Sequence, residues 1–489
     1  MPSVGLRLRS ATSCGLTLLL AACAAPTRSA PAELAAALAE LTARTELAGG
    51  RIGVCVLDAT SGERLLAVDA DRGFAPASNM KLVTAAVALT SLGPRFTMPT
   101  EVWCGGEVRE GALHGDLVLR GHGDPTLGRG EAGRMRMAKL VAGVRERGIT
   151  RIVGRVVGDD AWLGPEHLGL GWQWDYLDED YAAPFGALCC AGNVVTLRVR
   201  MEPTGPVVAV DPPWYPVRSA VEGVAAGGKT SLRATRALGA ANIDVTGTIA
   251  ADARPQVLRV AVADPTAFAV DHFTVALREA GITIDPVAPV VASRDTPRTL
   301  VARVGSPPLA ELLVPLLRDS DNLIAENVAR VAARESTGDG GTSAVAGNAA
   351  TTLTAFGIDP NGLVAADGSG LSRRNLVRPS QLAQLLLAMQ RSPHGAVFAG
   401  ALPVAGESGT LRARFDAGPA RGRVRAKTGF ISRVVCLSGY VPSGTGEASL
   451  VFSVMLNDFT CDETAAKAAV DAFVQRLATF ADESRAIRR

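Results

Sequence analysis

Lysine is the residue this chain largely does without. Of its 50 Lys and Arg side chains only five are lysine, at positions 81, 139, 229, 427 and 467. A chain so biased toward arginine keeps lysine where arginine cannot serve, and one such place is a base. Arginine holds its proton, whereas a desolvated lysine can give one up. Several catalytic patterns are also missing. None of the five histidines belongs to an H-E-x-x-H string, and no Gly-x-Ser-x-Gly elbow occurs. This argues against a zinc peptidase and a histidine-based hydrolase. No cysteine spacing suggests zinc, and neither a metal nor a cofactor is expected. Beyond the N-terminus no apolar run reaches the ~18 residues that would span a bilayer. The net charge of +2 gives no reason to expect a nucleic-acid partner.

At 489 residues the chain exceeds what one core supports and should hold two or three domains. Its start reads as a targeting segment over residues 1–23. Arg7 and Arg9 form a basic end, an apolar stretch follows, and Leu20-Ala21-Ala22-Cys23 resembles the lipobox of bacterial lipoproteins. Cys23 is therefore the expected lipid anchor, with a plain secretory signal cut near Ala22 to Ala25 as the alternative. Residues 24–33 read as a tether. Cys55, Cys104, Cys189, Cys190, Cys436 and Cys461 remain in an oxidising compartment. Cys55 and Cys436 sit in apolar, strand-like runs that suit buried thiols, and no pairing is assigned.

An Ala/Leu helix is expected near 34–46. Alternating runs at 52–57 and 65–68 then flank Thr60-Ser61-Gly62-Glu63, a β-hairpin pattern. After Pro76 the apolar spacing turns helical and stops at Gly93-Pro94. This places Ser78 and Lys81 three apart on one face of a first helical turn. Residues 99–292 change character to short strands and many turns. They form an insertion, expected as two small β-rich domains with the inner one at about 200–255. Helices resume at 306, 322–334, 342–356 and 379–391. Strands at 423–431, 434–441 and 448–456 and a helix at 463–481 complete the chain. The outer parts, 34–98 and 293–489, compose an α/β (α+β) unit: a five-stranded antiparallel sheet flanked by helices.

Three short motifs carry chemistry, in the order S-x-x-K, S-x-N, K-T-G: Ser78-Asn79-Met80-Lys81, Ser320-Asp321-Asn322 and Lys427-Thr428-Gly429. A serine hydroxyl is a weak nucleophile until a base takes its proton. Lys81 is that base if burial and a like charge, for which Lys427 is the candidate, lower its proton affinity. Ser320 can relay a proton to a leaving amine, and Asn322 can donate to the acyl-side amide. Lys427 and Thr428 on an edge strand can face a substrate carboxylate. Gly429 leaves room for the substrate backbone. The N–H groups of Ser78 and Phe430 would form the oxyanion hole. Two other strings are decoys. Gly223 to Thr230 spells a P-loop, but Trp214-Tyr215-Pro216 precedes it and no long helix follows, so no nucleotide is expected. Gly128 to Gly133 fits a dinucleotide pattern far from any strand end.

With these motifs the chain resembles the D-alanyl-D-alanine carboxypeptidase/endopeptidases of the class C low-molecular-mass penicillin-binding proteins. The likeness extends to Gly121 to Leu127, Gly171 to Trp174, Tyr181 to Pro184, Asp367 to Ser372 and Leu437 to Val441. The long gap between Ser78 and Ser320 looks like that family's inserted domains. The resemblance implies a penicillin-binding, β-lactamase-like transpeptidase fold. It also implies a Ser78 acyl-enzyme acting on peptidoglycan stem peptides, and β-lactams as inhibitors. Asp159 falls where the family has an inserted-domain acid that meets the substrate's side-chain amine. Two departures stand out. Phe430 replaces the usual small hydroxyl after K-T-G, and Leu317-Arg318-Asp319 replaces the usual Asn-Lys pair, putting beside the second motif an acid expected to alter the field on Lys81. The alternatives are a vestigial peptidoglycan-binding protein, or a β-lactamase or esterase on the same fold.

Overall fold

A computed structural model describes residues 31–285, 298–444, 446 and 448–487; the signal, Cys23 and the tether up to residue 30 lie outside them. Helix α1 (Ala32–Thr42) leads into the hairpin β1 (Arg51–Asp58) and β2 (Arg64–Val68), then α2 (Met80–Leu92). The insertion follows with β3 (Pro99–Arg109), β4 (Ala112–Gly121), α3 (Gly130–Glu146), β5 (Arg151–Val153) and β6 (Val156–Asp159). An inner lobe holds β7 (Val194–Glu202), β8 (Gly205–Asp211), β9 (Val217–Val224), β10 (Ser231–Thr235), β11 (Ile243–Ala250) and β12 (Gln256–Ala261). The chain returns through α4 (Pro265–Glu279), β13 (Thr283–Ile284) and β14 (Thr299–Gly305). Helices α5 (Leu309–Leu317), α6 (Asn322–Thr337), α7 (Thr342–Ala355), α8 (Pro379–Arg391) and α9 (Gly395–Gly400) come next. Strands β15 (Arg425–Ile431), β16 (Val434–Pro442) and β17 (Ala448–Asn457) and helix α10 (Glu463–Ile487) close it.

The main sheet runs β15-β16-β17-β1-β2 and every neighbouring pair is antiparallel. Both faces are covered, which is why its strands read as nearly continuous apolar runs. Alternate residues of β1 serve opposite cores: Cys55 and Leu57 pack with α2, α5 and α8, while Val54 and Val56 pack with α1 and α10. The period-2 geometry of a strand produces that division. β15 is an edge strand, bridged on its free side only at Arg425, by Val404, among the described residues.

The insertion is larger than the change in sequence character suggests. β14 pairs with β3, so the chain rejoins the main unit only after Gly305, although residues from 293 onward read as part of the peptidase unit. The inner lobe is two three-stranded sheets, β12-β7-β8 and β10-β11-β9, and so spans residues 194–261. The P-loop string is a turn between β9 and β10, with strand rather than helix after it. The dinucleotide-like string is the end of a loop and the first turn of α3. No helix among the described residues is long and apolar enough to cross a membrane.

Candidate active site

Ser78 sits in a single 3-10 turn, Ala77–Asn79, that runs straight into α2, so the turn is tighter than the ordinary first helical turn the spacing predicts. Ala77 just before it has φ +46°, an uncommon conformation for a residue with a side chain. Two glycines let this turn lie where it does. A Cβ on Gly370 would fall 1.8 Å from the Ala77 carbonyl oxygen, and one on Gly429 would fall 2.6 Å from that of Pro76. Gly429 thus clears space for the turn carrying the serine, not only for a substrate.

Lys81 is fully buried in α2. Its Nζ lies 3.0 Å from Ser78 Oγ, 2.5 Å from Asn322 Oδ1 and 2.7 Å from the Ser369 carbonyl. Burial pulls its pKa from 10.5 down to about 8, against the opposing pull of Asp367, Glu326 and Asp321. A neutral amine here can donate to Asn322 and Ser369 and turn its lone pair to the serine hydroxyl.

Lys427, equally buried, donates to Ser320 Oγ at 2.9 Å and to the Thr428 carbonyl at 2.9 Å. Burial and then the Lys81 charge push it well below the usual lysine range, while Asp319 opposes them. The repulsion expected to act on Lys81 is thus felt at Lys427. Likewise the field of Asp319 falls on Lys427, while Asp321 acts on Lys81.

Ser320 is held at φ +66° where α5 gives way to α6. Asp321 caps α6 through the Ile324 N–H at 2.9 Å and pairs with Arg129 of the insertion at 2.6 Å. Asn322 spends one amide N–H on the Tyr181 carbonyl at 2.7 Å. Its orientation is therefore fixed from both ends. On β15, Thr428 donates to Thr410 Oγ1 at 2.8 Å. Phe430 projects to the same side of the strand as Thr428, is 42% exposed, and stacks its ring on the Lys467 ammonium at 4.5 Å.

Ser78, Lys81 and Asn322 form one hydrogen-bonded group and Ser320 and Lys427 a second, with Thr428, Gly429 and Phe430 beside them on the edge strand. Asp159 has other company: it accepts from Arg120 at 2.8 Å and pairs with Arg298 at 3.7 Å. The motif reading missed three supports. The Ser369 and Tyr181 carbonyls are two of them. The third is Asn79, which donates to Ser438 Oγ at 2.8 Å beneath the serine, with Ser438 donating on to Ser453. The strings containing Ser369, Tyr181 and Ser438 were visible in the sequence. Their meeting with residues of the serine turn, α2 and α6 was not.

Comparison with known proteins places the chain as a whole. A profile of the D-Ala-D-Ala carboxypeptidase 3 (S13) family matches residues 34–480. The D-alanyl-D-alanine carboxypeptidase of Actinomadura sp. (strain R39) is 34% identical over 453 residues, covering 89% of this chain and 82% of that protein. D-alanyl-D-alanine carboxypeptidase DacB of Haemophilus influenzae is 28% identical over 411 residues, covering 80% of this chain and 82% of the relative. The crystal structure of penicillin binding protein 4 from Haemophilus influenzae superposes with a TM-score of 0.75 at 24% identity, over 92% of this chain and 99% of that one, and so shares its fold. The chain belongs to the D-Ala-D-Ala carboxypeptidase 3 (S13) family.

Proposed function

We propose that the protein cleaves the D-Ala–D-Ala bond of peptidoglycan stem peptides, or the cross-link to a neighbouring stem, through a Ser78 acyl-enzyme. The observation that carries this reading is the fully buried Lys81 amine 3.0 Å from the Ser78 hydroxyl, with its pKa near 8. Neutral Lys81 takes the Ser78 proton as Oγ attacks the scissile carbonyl. The N–H groups of Ser78 and Phe430 hold the oxyanion. Ser320, tied to Lys427, passes a proton to the leaving amine as the C–N bond breaks and is reprotonated by the Lys81 ammonium, which returns Lys81 to its neutral form. Water then attacks the ester, gives a proton back through Lys81 to Ser78, and releases the acid. Lys427 and Thr428 face the terminal carboxylate of a carboxypeptidase substrate. Asp159 would meet the substrate's side-chain amine only if it first left Arg120.

β-Lactams, one of which is bound in a Haemophilus influenzae penicillin binding protein 4 structure, would acylate the same serine. We place the protein outside the cytoplasm in the bacterial envelope, tethered by a lipid on Cys23, on the strength of its signal-like start. Intact mass after incubation with penicillin tests the chemistry. A stable penicilloyl adduct is expected on the parent and none on Ser78→Ala. Drug consumption without an adduct would replace this reading with a β-lactamase. Neither adduct nor consumption would favour a binding protein.

A further inference from the structure

Beneath Lys81 lies a buried charged pair that the proposed reaction does not use. Glu326 and Arg330, one turn apart on α6, are 0% and 1% exposed and meet at 2.7 Å. Burying such a pair is costly, so its presence calls for a reason beyond stability. Glu326 also accepts the backbone N–H groups of Gly368, at 3.1 Å, and Ser369, at 2.8 Å. The next N–H, that of Gly370, goes to Asp367 Oδ1 at 2.8 Å. The two carboxylates therefore grip three successive peptide planes, Glu326 the first two and Asp367 the third, and the third carries the Ser369 carbonyl that accepts from Lys81 at 2.7 Å. Thr84, one turn beyond Lys81, donates to the Gly368 carbonyl at 2.6 Å and pins the same loop to α2.

We propose that Glu326 is a positioning residue for Lys81, anchoring the Gly368 and Ser369 N–H groups of the loop whose Ser369 carbonyl accepts from the amine, so that the amine's lone pair points at Ser78, with Arg330 setting how much negative charge reaches the amine. This rests on the reading of Lys81 as base. The charged groups facing Lys81 are Asp321 and Glu326 from α6, Asp367 from the loop before α8, and Lys427 from β15. Those facing Glu326 are Arg330 and Asp367. Arg330 in turn lies 3.6 Å over the Phe185 ring and 3.6 Å from Glu166, both in the insertion. The inserted domain therefore touches the pair that steadies the base.

Paired variants of opposite charge effect provide the test. Glu326→Gln removes a negative charge near Lys81, so its titration should move to lower pH. Arg330→Gln leaves Glu326 uncompensated, so the titration should move to higher pH. Each shift should be about one pH unit. With only five lysines in the chain, lysine labelled with 13C at Cε in the full-length protein allows direct titration, and the signal lost in Lys81→Arg identifies Lys81. The pH profile of penicillin acylation should show the same displacements. Near-UV circular dichroism establishes which variant is folded, and either one alone decides the matter. Titrations that stay put, or shift in the same direction, overturn the proposal. A parent that forms no adduct would instead overturn the reading of Lys81 as base, while the lysine titration still reports on Glu326.

Discussion

At the scale of single residues, the pH response follows from the burial of Lys81. Its free-enzyme pKa near 8 lies below the 10.5 of an unburied lysine, so the neutral base gains population as pH rises through 8. Acylation by penicillin should rise across that range, and a rate flat from pH 6 to 9 would remove Lys81 from the role. The same shift enters folding with a definite sign. Between pH 8 and 10.5 the unfolded chain binds more protons at this site, so stability contributed by the site increases with pH in that window. Gly370 is a second point of sensitivity. It holds φ +86° against the Ala77 carbonyl, and Gly370→Ala should destabilise the protein by at least ~1 kcal/mol and slow acylation by displacing the serine turn. Thermal unfolding and the acylation rate, measured together, check both effects. The motif residues were legible because short spacing along a helix fixes proximity. The acceptors of Lys81 and Asn322 were not, because backbone carbonyls leave no mark in a sequence and these come from loops far away in the chain.

At the scale of elements, β15 combines an apolar anchor with an exposed edge. Its alternation sends Ala426 into the core under α10 and Lys427 and Gly429 toward α2, leaving Thr428 and Phe430 at the rim. A hydroxyl at position 430 would stand beside Thr428, where a substrate carboxylate is expected. A hydrogen bond to such a charge contributes about 1.5–3 kcal/mol. Phe430→Thr should therefore raise kcat/KM for D-Ala release from a pentapeptide about tenfold or more, with less effect on cross-linked dimers. The lost ring contact with Lys467 should cost about 0.5–1 kcal/mol of stability. Unchanged D-Ala release would mean that the carboxylate does not reach this position. Here the sequence reading was good, since β-branched and apolar alternation marks strands and their burial. What it could not resolve was the insertion's end, because the strand Thr299–Gly305 finds its partner in β3 through a pairing that local pattern does not encode.

At the scale of the molecule, the inserted domain and the peptidase unit share the site. Tyr181 orients Asn322, Arg129 pairs with Asp321, and Trp172 donates to Asp367 at 2.9 Å. The inner lobe reaches this seam through Arg236, 8% exposed, which donates to the Leu177 carbonyl at 2.7 Å and to that of Ala261 at 2.9 Å. Arg236→Met should leave the buried Ala261 carbonyl and the half-buried Leu177 carbonyl without this partner, at a cost of about 1–3 kcal/mol. It should also loosen the segment leading to Tyr181 and lower the second-order acylation constant several-fold, while the Ser78 adduct still forms. An unaltered constant would mean that the inner lobe is energetically separate from the site.

The open side of β15 has one more consequence. A strand free on one side accepts any extended chain, whatever its side chains, through main-chain hydrogen bonds alone. The rim proposed to receive an extended substrate would thus also be where a second copy of the protein began to add strand upon strand. On that reading, occupancy of the cleft and colloidal behaviour would be coupled through the same short stretch, Lys427 to Phe430, and an inhibitor seated there would act as a solubilising agent as well as a block to turnover.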